Sequence, residues 1–350
     1  MKNRLDCGLY REDLERVLRD VPADFLRGRR VLVTGATGLL GTFLVDVLME
    51  ASRRGGDIQV AAVGRNAERA TARFGRYAGD PRFEFVRHDV RDPLPDGVRF
   101  DIAVGGASLT HPLAYSRHPV ETVATNVSGT FHLLDRAATE GARVLFLSSV
   151  EIYGESRDGK PFREGDTGAL DLSTARAGYT ESKRVSEALC QAVAAERGLD
   201  VRIVRLCRVF GPTMLPDDSK ASSQFLSKAT AGEDVVLKSA GNQLFSYLHV
   251  SDAVSAVLSV LANGSPGAAY NAASPDCDVR LRDFAAAAAD AAGVRVVFDH
   301  PDERERRGYS VASTALLDAS KLRALGWTPR LSFADAVRRT IAVLRETESP

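Results

Sequence analysis

Six short apolar runs, separated by stretches of helical periodicity, constrain the fold of this 350-residue chain more than any other feature. They occupy residues 30–34, 58–63, 83–87, 100–104, 143–148 and 201–206. Apolar side chains stand at consecutive rather than alternate positions in these runs, which is typical of strands covered by helices on both faces. The pattern therefore predicts an α/β fold built on a doubly wound parallel sheet.

Changes in residue composition along the chain predict its division into domains. Leu14, Val17 and Val21 have the spacing of one helix face, which predicts a short N-terminal helix that Pro22 ends. Beyond residue 210, glycines, prolines and polar residues become frequent, as in loops that carry a substrate. We predict an N-terminal helical appendage at 1–24, a sheet domain at 25–208 and 243–265, and a smaller C-terminal substrate-binding domain at 209–242 and 266–350.

Composition excludes several classes of partner. The 46 basic and 46 acidic residues cancel, so the chain lacks the positive field that attracts nucleic acids. No apolar run reaches the roughly 18 residues of a membrane-spanning helix, and charges stand where a secretory signal needs an apolar stretch. The four cysteines lack the C-x-x-C spacing of zinc sites. We predict a cytoplasmic protein with no nucleic-acid partner, no membrane partner and no metal.

A glycine-rich loop follows the first predicted strand. Gly35, Gly38 and Gly41 have a Gly-x-x-Gly-x-x-Gly spacing, and the loop opens an apolar helix that ends near Met49. Glycine lets the main chain turn tightly and approach a pyrophosphate, whose charge then lies at the free N–H groups of the helix. A tight turn without a ligand is the alternative. The predicted cofactor-binding residues of the loop are Gly35, Thr37, Gly38, Leu39 and Gly41.

The ends of the second and third strands bear on the choice of cofactor. The second strand ends in Val63-Gly64-Arg65-Asn66, where dinucleotide sites usually carry an acid for the ribose hydroxyls. A guanidinium suits a 2′-phosphate, so Arg65 favours NADP over NAD, with a solvated arginine as the alternative. Asp89 and Val90 follow the third strand, where a carboxylate can accept from the adenine amino group. The predicted cofactor is therefore NAD or NADP.

Three polar residues predict the reacting centre. Tyr179 and Lys183 stand four residues apart at the start of a predicted helix, so they share one face. An ammonium beside a phenol favours the phenolate, which lets the tyrosine act as a base. Ser149 stands at the carboxyl end of a predicted parallel strand, where such sheets place their ligand chemistry. A surface Tyr and Lys on an amphipathic helix are the alternative.

With further short motifs, these residues make the chain resemble the extended short-chain dehydrogenase/reductase family, in particular its NAD-dependent nucleotide-sugar epimerases, dehydratases and decarboxylases. The likeness spans roughly residues 29–330. Its markers are TGATGLLG, Ala107-Ser108, Asn126-Val127-x-Gly129-Thr130, SSVEIYG, Tyr179-x-x-x-Lys183, Phe210-Gly211-Pro212, Tyr247-x-His249-Val250-x-Asp252 and Leu325-Gly326-Trp327-x-Pro329. The resemblance implies a Rossmann domain, a nucleotide-sugar substrate and a homodimer formed through the helices that carry Asn126 and Tyr179.

The resemblance also implies roles for individual residues. Ser149 would hold the reacting hydroxyl or carbonyl, Tyr179 would move its proton, and Lys183 would tune Tyr179 and bind the nicotinamide ribose. Asn126 would keep a structural place beside the site, and Ala107, Asn126 and Tyr179 would contact the cofactor. In that family the sugar is oxidised at C4, and the hydride usually returns after a transient 4-keto sugar has reacted.

Residues 150 and 151 bear on the reaction between the two hydride transfers. The 4,6-dehydratases of the family place an acid before the glutamate of this stretch, whereas Val150 cannot donate a proton. The sequence therefore favours C4 epimerisation or decarboxylation of a 4-keto uronate, and locally it is most like the UDP-glucuronate decarboxylases. Glu151 is predicted to act as a general base or to orient the substrate, with a capping or solvated carboxylate as the alternative.

The predicted substrate site departs from the family at Phe245, where the resemblance implies an arginine that holds a diphosphate. A phenyl ring supplies no charge, and losing a charge-assisted hydrogen bond costs about 1.5–3 kcal/mol. Arg208 is one candidate for the missing charge, and Arg307, in a segment with two further arginines, is another. Ser108 and His111 complete the predicted substrate contacts; a plain turn histidine is the alternative at 111.

Two other functions stay open at this point. Arg65 and Phe245 motivate an NADP-dependent reductase of a non-nucleotide carbonyl compound. A cofactor-binding module without catalysis is the third reading, which the set of Ser149, Tyr179 and Lys183 disfavours.

Overall fold

The computed structural model describes residues 3–21, 23–156, 158–299 and 313–348. Its strands are β1 (Arg30–Thr34), β2 (Gln59–Gly64), β3 (Phe83–Arg87), β4 (Ile102–Gly105), β5 (Arg143–Ser149), β6 (Val201–Leu206), β7 (Arg208–Phe210), β8 (Val235–Leu237), β9 (Leu244–His249), β10 (Ala269–Ala272), β11 (Asp278–Arg280), β12 (Val296–Phe298) and β13 (Thr314–Ala315). Its α-helices are α1 (Gly8–Asp20), α2 (Leu39–Ala51), α3 (Ala67–Phe74), α4 (Pro112–Arg117), α5 (Pro119–Glu140), α6 (Ala177–Arg197), α7 (Ala221–Thr230), α8 (Val250–Asn263), α9 (Leu281–Ala292), α10 (Ser320–Arg323) and α11 (Phe333–Glu348).

Within the described residues, seven strands form a central sheet in the order β10–β6–β5–β4–β1–β2–β3. Each neighbouring pair is parallel. The predicted α/β fold with a parallel sheet is confirmed, and the six predicted strands are present with ends displaced by at most two residues. The strand order reverses between β1 and β4, and ligands of such sheets bind in the crevice outside the carboxyl ends at this point.

Helices cover both faces of the sheet, as the consecutive apolar positions predict. Val31 and Val33 of β1 belong to the apolar cluster that contains α2 and α8. Leu32, between them, belongs to the cluster formed with α5 and α6 on the opposite face. Because successive side chains of a strand point to opposite faces, a strand buried on both sides needs apolar residues at every position.

The N-terminal helix is confirmed as α1, and it is docked against the sheet domain. Asp46 of α2 is fully buried and accepts hydrogen bonds from Arg4 at 2.7 Å, Tyr10 at 2.6 Å and Tyr77 at 2.9 Å. These bonds supply the partners that a buried carboxylate requires. The predicted helix terminator, Pro22, lies outside the described residues.

A smaller sheet lies beside the central one. Its middle strand β9 pairs with β7, β11 and β13, and a separate pair is formed by β8 and β12. The division into domains stays a prediction, although one strand assigned to the substrate-binding part, β10, is the edge strand of the central sheet. None of the described helices combines the length and the apolar character needed to cross a membrane, and the cytoplasmic location stays a prediction.

Candidate active site and cofactor cleft

A cavity of about 1230 Å³ runs along the carboxyl ends of the central strands, from the glycine loop to β8 and β9. Its wall includes the predicted cofactor residues of the loop, the predicted catalytic residues and, at the far end, Arg208 and Phe245. Residues separated by more than 200 positions in the chain thus face one space. Its volume exceeds the roughly 300–1,000 Å³ of ordinary ligand pockets, which suits two ligands bound side by side.

The glycine loop fits the pyrophosphate of a dinucleotide. Gly35 has a φ of +69°, and a Cβ there would lie 2.6 Å from the carbonyl oxygen of Gly106. Gly38 begins helix α2 without a side-chain cap, and the first residues of α2 line the cavity. The N–H groups that open a helix have no partner within it, so they are free to bind an anion. The loop therefore has the donors and the close main-chain approach that a pyrophosphate needs.

Close to the glycine loop, at the end of β2, Arg65 lies between two carboxylates. It forms an ion pair with Glu121, and its Nη1 lies 3.6 Å from Asp89 Oδ2. Asp89 also accepts from Arg91, at 3.0 Å from Nε and 2.7 Å from Nη2, and these bonds lower the pKa of Asp89 to about 2. The predicted residues Arg65, Asp89 and Val90 all line the cavity. The sequence did not predict Glu121 as a residue of this site, because the predictions considered strand ends and Glu121 lies on α5.

Tyr179 lies in the middle of the cavity wall, near the start of α6. Its ring is buried and stacks on Tyr115, with ring centroids 5.3 Å apart. The pKa of Tyr179 is raised above its usual range, mainly because the phenol is buried. A hydrogen bond with Ser149 opposes this shift, and the negative charge of Glu151 adds to it. Ser149, at the end of β5, is thus brought to the phenol, which is the arrangement expected of the predicted catalytic residues.

Lys183 lies one helical turn further along the same face of α6. Its Nζ donates to the carbonyl oxygen of Leu147 at 2.9 Å and lies 4.8 Å from the centroid of the Phe146 ring. Burial lowers its pKa to about 8, against the opposing charge of Glu187. The hydrogen bond of this ammonium goes to β5, so the predicted tuning of Tyr179 by Lys183 stays a prediction.

Asn126 fixes the helix that carries the tyrosine. Its Nδ2 donates to Ser182 Oγ at 2.8 Å, and Ser182 Oγ donates to the carbonyl oxygen of Tyr179 at 2.9 Å. Both side chains are buried. The asparagine therefore joins α5 to α6 through Ser182 and the main chain of Tyr179. Its predicted place beside the site and its predicted contact with the cofactor stay predictions.

Glu151 is held between two arginines. Its Oε1 accepts from Arg208 Nη2 at 3.1 Å, and its Oε2 lies 3.5 Å from Arg176 Nη2. The guanidinium of Arg208 lies over the ring of Phe245 at 3.6 Å, and that of Arg176 over Tyr115 at 5.4 Å. One carboxylate thus faces two cations, and all three charged side chains line the cavity.

Two residues of this group were missed in the sequence. Arg176 precedes Tyr179 by three positions, so the spacing of one helical turn is the signal that could have found it. Tyr115 has no such signal, since only the folded chain brings α4 against α6.

The remaining predicted contacts differ in how well the structure defines them. Ala107 and Ser108 line the cavity, and Ser108 Oγ is buried without a hydrogen-bond partner among the described residues. His111 Nδ1 lies 3.2 Å from Ser219 Oγ, and burial lowers the pKa of this histidine. Arg307 lies outside the described residues. Among those that are described, no group of His, Cys, Asp and Glu side chains is arranged to hold a metal ion.

Comparisons with known proteins agree with this geometry. The NAD dependent epimerase/dehydratase family model matches residues 31–273. UDP-glucuronic acid decarboxylase 6 of Arabidopsis thaliana is 29% identical over 317 residues, which cover 89% of this chain and 88% of that protein. The structure of DesIV, a dTDP-glucose 4,6-dehydratase from Streptomyces venezuelae with NAD bound, is similar with a TM-score of 0.77 at 29% identity, over 91% of this chain and 98% of that one. A UDP-glucuronic acid 4-epimerase from Bacillus cereus, in complex with UDP-glucuronic acid and NAD, has the same fold, with a TM-score of 0.76 at 19% identity, over 91% of this chain and 99% of that one.

Proposed function

This chain belongs to the NAD-dependent epimerase/dehydratase family, and from that premise we propose that it decarboxylates a nucleotide-linked hexuronate through a transient 4-keto sugar. Family membership makes it an NAD-dependent enzyme of the extended short-chain dehydrogenase type. The choice of reaction rests on the residues around Tyr179. Similarity to a UDP-glucuronic acid decarboxylase over 89% of the chain supports the same choice.

The observation that carries the choice is the excess of positive charge around Glu151. Arg176 and Arg208 both contact this single carboxylate, so two cations lie beside one anion in the cavity wall. Partly buried cations stabilise an anionic substituent on the sugar. We assign the carboxylate of the hexuronate to Arg176, because this arginine stands one helical turn from Tyr179.

The same residues disfavour the elimination of water. A departing hydroxyl needs a proton from a nearby acid, and residue 150 is a buried valine. Glu151 accepts from two guanidinium groups, which is the arrangement of a carboxylate and not of a proton-donating acid. Loss of carbon dioxide needs no acid at the leaving group, so it is compatible with both side chains.

The mechanism that we propose uses Tyr179 twice. A bound dinucleotide supplies the acceptor, and later the donor, of the hydride at C4. Tyr179 takes the proton of the 4-hydroxyl while Ser149 holds the oxygen. The C5–C6 bond of the 4-keto uronate then breaks, carbon dioxide leaves, and the electron pair forms an enolate whose oxygen accepts from Tyr179. After C5 takes a proton from water, Tyr179 returns its proton to the oxygen as C4 is reduced.

For the cofactor, we infer NAD and not NADP. The Arg65 guanidinium, which in the sequence favours NADP, is paired with Glu121 and lies near Asp89. A 2′-phosphate placed at Arg65 would meet the negative charge of these two carboxylates. The ribose hydroxyls of NAD can instead donate to them.

We also propose a homodimer formed through α5 and α6. Val120, Val123 and Phe131 on α5 and Val185 on α6 are exposed apolar side chains, with Val120 81% exposed. Contiguous apolar surface on a folded protein is typical of an association face. The two helices carry Asn126 and Tyr179 on their buried sides, so association would stiffen the wall of the active site.

The test is to supply NAD-loaded protein with UDP-glucuronate labelled with ¹³C at C6. We expect labelled carbon dioxide and a UDP-pentose, with no net change in NADH absorbance, and Tyr179→Phe should lower turnover by roughly 10²- to 10⁴-fold. Label retained in a C4 epimer would show epimerisation instead. Stoichiometric consumption of NADPH with a simple carbonyl compound would show the reductase, and either outcome would refute the proposal.

A further inference from the structure

Arg208 has a buried hydrogen-bonding group, Nη1, that does not take part in the contact with Glu151. Nη2 donates to Glu151, while Nη1 is buried and has no hydrogen-bond partner among the described residues. The guanidinium carbon of Arg208 lies 3.6 Å from the centroid of the Phe245 ring. The side chain is thus held by the ring and by Glu151, with an N–H donor left over.

This leftover donor needs an acceptor of a particular kind. A buried polar group without a partner is unfavourable, and more so when it carries charge. The Phe245 ring stabilises the cation through its face but offers no hydrogen-bond acceptor. Arginine binds carboxylate and phosphate oxygens best, because its planar fork matches their geometry. Among ligand groups, an oxyanion is therefore the partner that suits this donor best.

The acceptor has to come from within the cavity. Arg208, Phe245 and Gln243 all line it. Gln243 immediately precedes β9, the strand that carries Phe245. The Oε1 atom of Gln243 is also buried without a partner among the described residues. A ligand here brings an oxyanion to Arg208 and a hydroxyl or N–H donor to Gln243, as a nucleoside diphosphate does.

We propose that Arg208 binds an oxyanion of the substrate through Nη1 while its Nη2 holds Glu151. One guanidinium then connects the bound substrate to the carboxylate beside Tyr179. This inference rests on the proposed function, which supplies two sources of the oxyanion, the diphosphate and the hexuronate carboxylate. The position of Gln243 favours the diphosphate.

The experiment measures the Kd of UDP, UDP-glucose and UDP-glucuronate by titration calorimetry with NAD-loaded protein. Every protein titrated, the one that is wild type at residue 208 included, carries Tyr179→Phe, so that UDP-glucuronate is not turned over during the measurement. Arg208→Asn removes the charge, and Arg208→Lys keeps the charge but loses the planar fork. Phe245→Leu removes the ring beneath the guanidinium. The matched control is Arg280→Asn, an exposed arginine on the neighbouring strand β11 whose Nη1 binds the main chain of Asn242. Circular dichroism checks that each variant is folded.

We expect Arg208→Asn to raise the Kd of all three ligands by roughly 10- to 100-fold. Arg208→Lys and Phe245→Leu should have intermediate effects, and Arg280→Asn should change the Kd less than twofold. A loss confined to UDP-glucuronate would assign the oxyanion to the carboxylate and still support the site. Equal affinity of wild type and a folded Arg208→Asn for all three ligands would overturn it while leaving the proposed function standing. Wild-type protein that binds none of them would overturn the proposed function and this site together.

Discussion

We expect the buried ammonium group of Lys183 to lower the free energy of unfolding of the protein. The side chain is 4% exposed, and burial lowers its pKa from 10.5 to about 8. Lys183→Met keeps the length of the side chain and removes the charge. We expect the variant to be more stable than wild type at pH 7 and to have little catalytic activity.

The size of the effect follows from the structure. The difference between 10.5 and about 8 corresponds to about 3 kcal/mol, at about 1.4 kcal/mol for each pKa unit. The lost hydrogen bond to Leu147 offsets about 1 kcal/mol of this, which leaves a gain in the free energy of unfolding of about 2 kcal/mol. Because the folded pKa is the lower one, the cost of burying the charge is complete below pH 8 and disappears as the pH rises towards 10.5.

The assay is urea denaturation of the dinucleotide-free protein at pH 7, 8.5 and 10, with Lys228→Met as the control. Lys228 is half exposed on α7 and paired with Glu233, so its replacement should change stability by less than about 0.5 kcal/mol. The advantage of Lys183→Met should shrink between pH 8 and 10. A variant less stable than wild type at pH 7, or a difference independent of pH, would refute the reasoning.

Three further predictions test the cofactor, the dimer and the loop. Glu121→Gln should lower the ratio of the Kd for NADP to that for NAD by roughly fivefold, since one carboxylate near Arg65 loses its charge; an unchanged ratio in fluorescence titrations would contradict the preference for NAD. Phe131→Glu should convert the dimer to a monomer in light scattering after gel filtration, and a monomeric wild type would contradict the interface. Gly35→Ala should cost about 3 kcal/mol or more, because its φ is +69° and the new Cβ would lie 2.6 Å from the Gly106 carbonyl oxygen; wild-type stability in urea would contradict this.

The parts of the fold that follow from local pattern are those that the sequence predicts well. The runs at 30–34 and 201–206 coincide with β1 and β6, which are largely buried, since burial on both faces requires consecutive apolar residues. The run at 83–87 also coincides with a strand, but β3 lies at the edge of the sheet and is only partly buried. The glycine-rich loop at Gly35 is predicted equally well, because its glycines lie directly between a strand and a helix in the chain. Strand β10 was assigned to the other domain because its four residues carry no comparable run and are separated from β6 by more than 60 residues.

The site itself depends on contacts that no local pattern encodes. Arg208 meets Glu151 across 57 positions, and Arg65 meets Glu121 across 56. Residue type alone favours a 2′-phosphate ligand for Arg65, and the proposed preference for NAD rests on the carboxylates of Glu121 and Asp89 that the fold brings to it. Phe245 is a similar case. In the sequence it indicates only that a diphosphate-binding arginine is absent, whereas in the structure its ring packs against the guanidinium of Arg208.

Whether the site places a proton-donating acid or a cation near C6 of the sugar bears on which reaction follows oxidation at C4. After oxidation at C4, a proton donor near C6 promotes loss of a hydroxyl, whereas a cation near C6 promotes binding of a carboxylate and stabilises the enolate that its loss creates. Here the residue in line for the acid is Val150, and the neighbouring Glu151 is held by two guanidinium groups. We expect that Val150→Asp alone will not create a dehydratase, because the guanidinium groups of Arg176 and Arg208 beside Glu151 favour the charged form of a new carboxyl group, which then cannot donate a proton. The assay is NMR of Val150→Asp protein incubated with dTDP-glucose. Formation of dTDP-4-keto-6-deoxyglucose would show that one added proton donor is enough for dehydration and that the surrounding charge does not select the reaction.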